Sequence, residues 1–174
     1  MAQAINKPDT GHDGPYDAPL IVGPWQVLPQ WIDYNGHMNV AYYTMAFDQA
    51  MDALCDEHLG LGESFTQKTR LGPYALQIQT HFLAEMHEGE RFTGAFHLLD
   101  CDEKRMHTCL SMRAEDGREA AFFEAVFLNV DLNTRRAAPY PDWAQARLAQ
   151  MKADHSHLER SARLSAPLGL RRPK

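Results

Sequence analysis

One change of hydrophobic period constrains the fold of this chain more than any other feature. Residues 40–58 place apolar side chains three or four positions apart, whereas the residues after Gly72 and Pro73 alternate with a period near two. The first spacing is typical of an amphipathic helix, and the second is typical of a strand with one buried face. We therefore expect one helix of about five turns, followed by a sheet.

The helix has a clear apolar face and clear ends. Its opposite side carries Asp48, Asp52 and Asp56. Asn39 precedes the pattern as a candidate N-cap, and the pair Gly60 and Gly62 is a stop signal. The expected buried face is formed by Tyr43, Phe47, Ala50, Met51 and Leu54.

Four strand patterns follow the helix at residues 74–82, 91–99, 105–114 and 119–130. The links between them are short and rich in turn-forming residues, which forces antiparallel neighbours, because a parallel crossover needs a dozen or more residues. An apolar stretch at residues 21–31 supplies a further strand before the helix. Since the apolar stripe of the helix must be buried on one face of the sheet, the sequence predicts a two-layer α+β domain.

The two ends of the chain differ from this central region. Residues 1–20 mix Pro and Gly with polar residues and predict a flexible N-terminal arm. Residues 141–174 predict a polar helix, to about residue 164, and a basic tail. We therefore expect one domain at residues 21–140 with an extension on each side.

Composition excludes several classes of function. No apolar run approaches the roughly 20 residues that cross a bilayer, so no membrane association is expected. The formal net charge of −6 argues against a general nucleic-acid binder. Three cysteines cannot all pair within one chain, and no basic-apolar secretory signal opens the sequence, so a reducing cytoplasm is the expected location.

The segment at residues 31–40 carries the most informative chemistry. Asp33 stands just before the helix, where several backbone N–H groups have no intrahelical partner. A carboxylate that acts as base or nucleophile can therefore lie beside donors for a developing oxyanion. Gly36 permits a sharp turn and a close approach to a ligand.

This segment resembles the hotdog thioesterase superfamily, in its 4-hydroxybenzoyl-CoA thioesterase-like branch. The resemblance lies in the pattern D-x-x-G-H-M-N, which runs from Asp33 to Asn39, and in the order of strand, helix and four strands over residues 21–140. It implies a hotdog fold, in which an antiparallel sheet of about five strands wraps around one long helix. Many relatives carry a second Asn where Val40 stands here.

The resemblance implies hydrolysis of an acyl-CoA thioester, with Asp33 as general base or as nucleophile through a mixed anhydride. Gly36, His37, Asn39 and the backbone N–H of Val40 complete the implied catalytic segment. It also implies sites at the interface of a homodimer, with further assembly into tetramers left open. CoA is part of the substrate, and no separate cofactor is expected.

Each of these residues also has a simpler interpretation. Asp33 could be a turn or cap residue, His37 could be loop scaffold, and Asn39 could be only the N-cap. No metal site is expected, because the histidines show no metal-binding spacing, and His155 with His157 is interpreted as a polar-tail pair.

Two further groups are candidates for substrate binding. The cations Lys104, Arg105, Arg135 and Arg136 lie at or beyond strand ends, where they could contact CoA phosphates. They could equally be solvated surface charges.

The motif region also resembles thioesterases of carnitine breakdown, which implies betainyl-CoA as substrate. A cage for its trimethylammonium group could come from nearby aromatic residues, which could instead pack in the core. These are Trp31, Tyr34, Tyr42, Tyr43 and Tyr74. Two other functions remain open, a thioesterase for acyl carrier protein and a hotdog module that binds acyl-CoA without cleaving it.

Overall fold

A computed structural model describes residues 5–168 of the chain. In chain order its elements are β1 (Leu20–Gln26), α1 (Val40–Leu54), α2 (Glu63–Thr69), β2 (Leu71–Phe82), β3 (Arg91–Cys101), β4 (Arg105–Ala114), β5 (Glu119–Asp131), β6 (Arg136–Ala137) and α3 (Asp142–Asp154). Short 3₁₀ turns occupy Pro29–Trp31 and His155–His157.

The strands form one antiparallel sheet in the order β1-β3-β4-β5-β2, with the two-residue β6 paired to β5. β1 and β2 are therefore the edges of the main sheet. The long helix α1 packs against one face of this sheet. The predicted α+β architecture, an antiparallel sheet around one long helix, is confirmed.

The core lies between α1 and the inner face of the sheet. All five residues of the expected helix face are buried, and Ala46 joins them. Phe47 stacks on Phe123 of β5, with ring centroids 4.8 Å apart and an interplanar angle of 17°. Burial of apolar area at about 25 cal/mol per Å² makes this helix-on-sheet contact the main source of stability. The Asn39 side chain accepts from the Ala41 amide, which confirms the predicted N-cap.

The helix and strand bounds differ from the sequence expectations in several places. α1 ends at Leu54 and continues as a π-helical turn to Leu59, which closes at Gly60 with φ 69°. α2 and β6 were not expected. β1 ends at Gln26, five residues before the end of the predicted strand, because Pro29 begins a 3₁₀ turn there. α3 ends at Asp154, about ten residues earlier than predicted.

α3 ties the N-terminal residues to the body of the protein. Arg147 has only 2% of its surface exposed and donates to the carbonyls of Thr10 and Leu59 and to the Asp13 carboxylate. Tyr16 is also buried. The predicted N-terminal arm therefore makes ordered contacts from residue 5 onward, where the Ile5 carbonyl accepts from the Trp143 ring N–H across 3.1 Å. The domain boundaries at residues 20 and 140 stay predictions.

The segment after α3 crosses the outer face of the sheet, which is the face turned away from α1. Leu164 packs on a small apolar cluster formed by Leu99, Cys109 and Phe122. The backbone N–H of Ser165 donates to the buried Glu124 carboxylate across 2.6 Å. We call residues 158–168 the C-terminal strap. The remainder of the predicted basic tail, like residues 1–4, lies outside the described residues.

The interpretation of His155 as part of a polar tail was wrong. This ring is fully buried, accepts from the Leu98 amide across 3.0 Å and lies 2.9 Å from the Asp17 carbonyl oxygen. The ring therefore fixes the end of α3 against β3. Within residues 5–168, no helix combines the length and the apolar character that spanning a membrane requires.

Candidate active site

The loop between β1 and α1 folds into a small hairpin. Ile32 and Met38 form an isolated antiparallel bridge, and the Asp33 amide donates to the His37 carbonyl across 3.1 Å. At its tip, Gly36 has φ 84° and donates to the Asp33 carbonyl across 3.0 Å. A Cβ at this Gly would meet no atom within 4 Å, so the backbone angle, rather than lack of space, requires glycine here.

Asp33 lies in this hairpin with its carboxylate partly exposed. One oxygen, Oδ1, accepts from the Asn35 amide across 2.8 Å, in an Asx turn. The other oxygen, Oδ2, accepts from Nδ2 of Asn39 across 3.1 Å. The two contacts hold the carboxylate beside the first residue before α1. The same contacts are those of a structural turn residue, so geometry alone leaves both interpretations of Asp33 open.

The start of α1 is anchored from two sides. The Asn39 amide donates to the Trp31 carbonyl across 2.8 Å, and the Met38 amide donates to the Met86 carbonyl across 2.7 Å. Since the Asn39 side chain caps the Ala41 amide, the N–H of Val40 remains among the first-turn donors that have no intrahelical partner. Its side chain is 57% exposed. The positive end of the helix dipole is thus directed at this surface.

An open cleft of about 320 Å³ adjoins the start of α1. One wall comes from the motif and the helix, and the other from the end of β2 and the residues after it. The lining residues are His37, Met38, Val40, Tyr43, Phe82, Leu83, Ala84 and Glu85. Asp33 is not part of this lining, and its connection to the cleft runs through Asn39 and Val40.

Tyr43 closes the floor of the cleft. Its hydroxyl donates to the Ala84 carbonyl across 3.3 Å and accepts from the Met86 amide across 3.1 Å. Burial raises the pKa of Tyr43. The hydroxyl is therefore neutral and fully engaged, so it fixes the segment after β2 rather than offering a proton to a ligand.

His37 lines the same cleft, and its imidazole ring makes no hydrogen bond to the Asp33 carboxylate. Its Nδ1 lies 3.3 Å from the Met38 carbonyl oxygen. His87 approaches from the neighbouring turn, with Nδ1 3.3 Å from the Gly36 carbonyl oxygen. Both rings border the motif, and the His37 contact is that of loop scaffold.

The aromatic candidates are only partly brought together. Trp31 is buried and stacks on Tyr42, with centroids 5.6 Å apart, so a partner already covers one of its ring faces. Tyr34 is 97% exposed at the hairpin tip. Tyr74 lies eight residues from Phe82 along β2, which is about 26 Å at roughly 3.3 Å per residue. Within one chain, Tyr74 is therefore remote from the cleft.

The cationic candidates cluster at that same remote end of the sheet. Arg105 is opposite Leu128, and Leu128 is opposite Tyr74, so the three lie in one row across the strands. Arg135 lies 3.4 Å from the Tyr74 hydroxyl.

Two of these cations have acidic partners. Arg105 pairs with Asp102 across 2.6 Å, and Lys104 pairs with Glu103 across 3.1 Å. Arg136 is exposed in β6. None of the four adjoins Asp33 of its own chain.

A larger cleft of about 710 Å³ lies on the outer face of the sheet, under the C-terminal strap. Three of its polar residues already pair with one another. His107 lies 2.7 Å from Glu124, and the Ser165 hydroxyl is 3.3 Å from the same carboxylate. The cleft is also on the opposite side of the sheet from α1, so its size does not make it the better candidate.

Sequence reasoning missed the second wall of the cleft, residues 82–85. Phe82 is the last paired position of β2, and residues 83–85 follow it without any spacing that marks them as part of a site. They reach the motif because the Met38 amide pairs with the Met86 carbonyl. That long-range contact has no local signature in the sequence.

Comparison with known proteins identifies the family of the chain. A family model described as the thioesterase-like superfamily matches residues 27–148. A betainyl-CoA thioesterase from Pseudomonas aeruginosa is 34% identical over 133 residues, which is 76% of this chain and 83% of the relative. An L-carnitine dehydrogenase/betainyl-CoA thioesterase from Agrobacterium fabrum is 35% identical over 127 residues, 72% of this chain but only 25% of that longer protein.

Solved structures show the same architecture. A hypothetical protein from Staphylococcus aureus, solved in complex with CoA, superposes with a TM-score of 0.81 at 22% sequence identity. The superposition covers 91% of this chain and 100% of the other chain. A DHNA-CoA thioesterase from the same species gives a TM-score of 0.70 at 14% identity, covering 80% of this chain and 95% of its own. With most of the chain matched by the family model and the architecture shared, this protein belongs to the thioesterase-like superfamily and is a thioesterase of the hotdog fold.

Proposed function

We propose that the protein hydrolyses an acyl-CoA thioester to the free acid and CoA, with Asp33 as the reacting carboxylate. The observation that carries this proposal is the position of that carboxylate, which lies 3.1 Å from the side-chain nitrogen Nδ2 of the N-cap residue Asn39. A thioester carbonyl bound at the cleft would lie near the first-turn amides of α1, and the Val40 N–H would stabilise the oxyanion that forms.

Two routes are compatible with this arrangement. In the first, Asp33 takes a proton from water as the water oxygen attacks the carbonyl carbon, and the C–S bond then breaks and releases CoA thiolate. In the second, an Asp33 oxygen attacks, CoA thiolate leaves, and water hydrolyses the mixed anhydride. A single turnover in H₂¹⁸O tests for the second route, because hydrolysis of the anhydride at the aspartyl carbonyl leaves ¹⁸O in Asp33, whereas general-base attack by water places it only in the released acid.

The substrate we propose is betainyl-CoA, in keeping with the names of the relatives from Pseudomonas aeruginosa and Agrobacterium fabrum. The test is release of free CoA thiol from betainyl-CoA, acetyl-CoA, hydroxybenzoyl-CoA and a medium-chain acyl-CoA. We expect the highest kcat/KM with betainyl-CoA. Equal rates on all four esters would reject this substrate while keeping the activity, and no thiol release from any ester would reject the activity.

We further propose that the site is completed by a second copy of the chain. β2 is an edge strand with an exposed apolar row, in which Tyr74, Leu76, Ile78 and Phe82 are 40–57% exposed. Such an edge is prone to pair with another strand. Antiparallel pairing of two β2 strands about Ile78 would place the partner's Tyr74 opposite Phe82, at the cleft.

This pairing would allow the cationic candidates to bind CoA phosphates, which they cannot reach from within the same chain. The partner's Arg135, which lies beside its Tyr74, would come within reach of a CoA bound at Asp33. Exchange of both Arg135 and Arg136 for Ala is then expected to raise KM for the CoA ester more than it lowers kcat. An effect on kcat alone would contradict phosphate binding by these residues.

A further inference from the structure

The cleft at the start of α1 contains a charge that thioester hydrolysis itself does not require. Its walls are otherwise mainly apolar, yet Glu85 belongs to its lining. Within residues 5–168, the Glu85 carboxylate has no hydrogen-bond or ion-pair partner. The Arg118 guanidinium donates to the backbone carbonyl of Glu85, and its ion pairs are with Glu90 and Asp116. A carboxylate of this kind is well hydrated while the cleft is open. It becomes unfavourable once a neutral ligand displaces the water.

Glu85 lines the cleft together with Tyr43 and Phe82. After burial, the negative charge of Glu85 is among the causes that raise the pKa of Tyr43. Phe82 stands on the same wall with 51% of its surface exposed, and its ring meets the Tyr43 ring at 5.3 Å and 80°. An aromatic surface and an unpaired anion therefore face the same space.

A betainyl group fits this combination by its dimensions. Its quaternary nitrogen is two bonds from the carbonyl carbon, about 2.5 Å away. Groups that recognise the cation must therefore line the cleft that holds the carbonyl. Tyr74 of the same chain is too distant, and Tyr34 projects into solvent at 97% exposure.

The helix start also creates an electrostatic conflict for such a substrate. The positive end of α1 favours the developing oxyanion and disfavours a cation next to it. An anion on the opposite wall offsets this repulsion. Contact with an exposed ring face adds cation–π attraction when the cation lies within about 6 Å of the ring centre.

On the basis of the function proposed above, we propose that Glu85 and Phe82 are specificity-determining residues that select an acyl group bearing a quaternary ammonium next to the thioester. Glu85 supplies the compensating charge, and Phe82 supplies the apolar and aromatic surface for the methyl groups. Neutral acyl groups of the same shape gain only the apolar contact with Phe82, because both the attraction to Glu85 and the cation–π attraction require a positive charge.

A matched pair of substrates isolates the charge. 3,3-Dimethylbutyryl-CoA has the shape of betainyl-CoA with carbon in place of the quaternary nitrogen. The ratio of kcat/KM for betainyl-CoA to that for this neutral ester is the readout. We expect Glu85→Gln to lower the ratio about fivefold, as for a partly exposed charge pair. Glu85→Lys should lower it further, and Phe82→Leu should lower it about threefold.

Glu88→Gln is the matched control, since Glu88 is an exposed carboxylate in the next turn that does not line the cleft. It should leave the ratio unchanged. Thermal unfolding of each variant establishes that it is folded, and the two positions provide independent tests. An unchanged ratio in Glu85→Gln and Glu85→Lys, or a wild-type preference for the neutral ester, would overturn the inference while leaving the thioesterase function in place. If the wild type cleaves no thioester, the proposed function itself fails.

Discussion

The side-chain amide of Asn39 donates to the Asp33 carboxylate across 3.1 Å, while its side-chain oxygen accepts from the Ala41 amide across 3.0 Å. One residue therefore joins the candidate catalytic group to the cap of the central helix. These two contacts use different atoms, so substitution can separate them.

Asn39→Ser should retain the cap, because a Ser hydroxyl also accepts from a first-turn amide, but it loses the donor to Asp33. We expect an unchanged urea midpoint and a kcat about tenfold lower, as for a lost hydrogen bond to a charged group. Asn39→Ala should lower kcat by the same factor and should also lower the free energy of unfolding by about 1 kcal/mol, because the cap is lost. Full turnover in Asn39→Ser would show that the contact is structural only.

Asp33→Asn should lower kcat about a thousandfold or more, because an amide neither accepts the proton of water nor attacks the thioester. The Asx turn to Asn35 can persist, so thermal unfolding should change little. Thiol release measures the activity. Asp142→Asn is the control, since Asp142 is an exposed Asp in the first turn of another helix, α3. Retained turnover in Asp33→Asn would reject the assignment.

A variant that carries both Leu76→Lys and Ile78→Lys should not pair through two β2 edges, because charged side chains block strand addition. Light scattering after size exclusion should then show a monomer with strongly reduced thioesterase activity. Ile21→Lys is the matched control on the opposite edge strand, where Ile21 is 56% exposed. A dimer that persists in the β2 variant would place the interface elsewhere.

Arg147→Met should lower the free energy of unfolding by about 2 kcal/mol, because two carbonyls lose a charged donor. Urea denaturation measures the change, and limited proteolysis should cut more rapidly near residues 8–19. Arg91→Met removes only an exposed 3.8 Å ion pair with Glu115 and should cost a few tenths of a kcal/mol. Equal effects of the two substitutions would mean that the N-terminal contacts add no stability.

His97 should make stability depend on pH below neutrality. Burial, followed by the charges of His155, Arg160 and His157, lowers the pKa of His97 from 6.5 to about 4. Between pH 4 and pH 6.5 the unfolded chain therefore binds more protons than the folded one, and the free energy of unfolding decreases as the pH falls through this window. His97→Gln should flatten that slope in urea titrations at several pH values. Burial also lowers the pKa of His155, so some slope should remain.

The regular elements were predictable because their signals are local. The helical period from Tyr43 to Leu54 reports one buried face, and the strand at residues 105–114 matches β4 at both ends. Within the site, the sharp turn at Gly36 and the Asn39 cap follow from residue preferences for turns and helix starts.

Other features depend on contacts between distant segments, and the sequence pattern does not report them. His155 has a polar side chain and lies in a polar stretch of the sequence. It is nevertheless buried, because the Leu98 amide and the Asp17 carbonyl satisfy both ring nitrogens. Glu85 belongs to the cleft because the chain beyond β2 turns toward the motif. Periodicity describes which side of an element is apolar, and it does not report where a loop runs.

The C-terminal strap has a consequence for any further assembly of the proposed dimer. Leu164 already occupies the apolar cluster on the outer face of the sheet, and Ser165 already binds the buried Glu124. Two dimers that packed against each other through the outer faces of their sheets would first have to displace this segment. Any higher-order particle that keeps the strap in place must therefore be built through another surface.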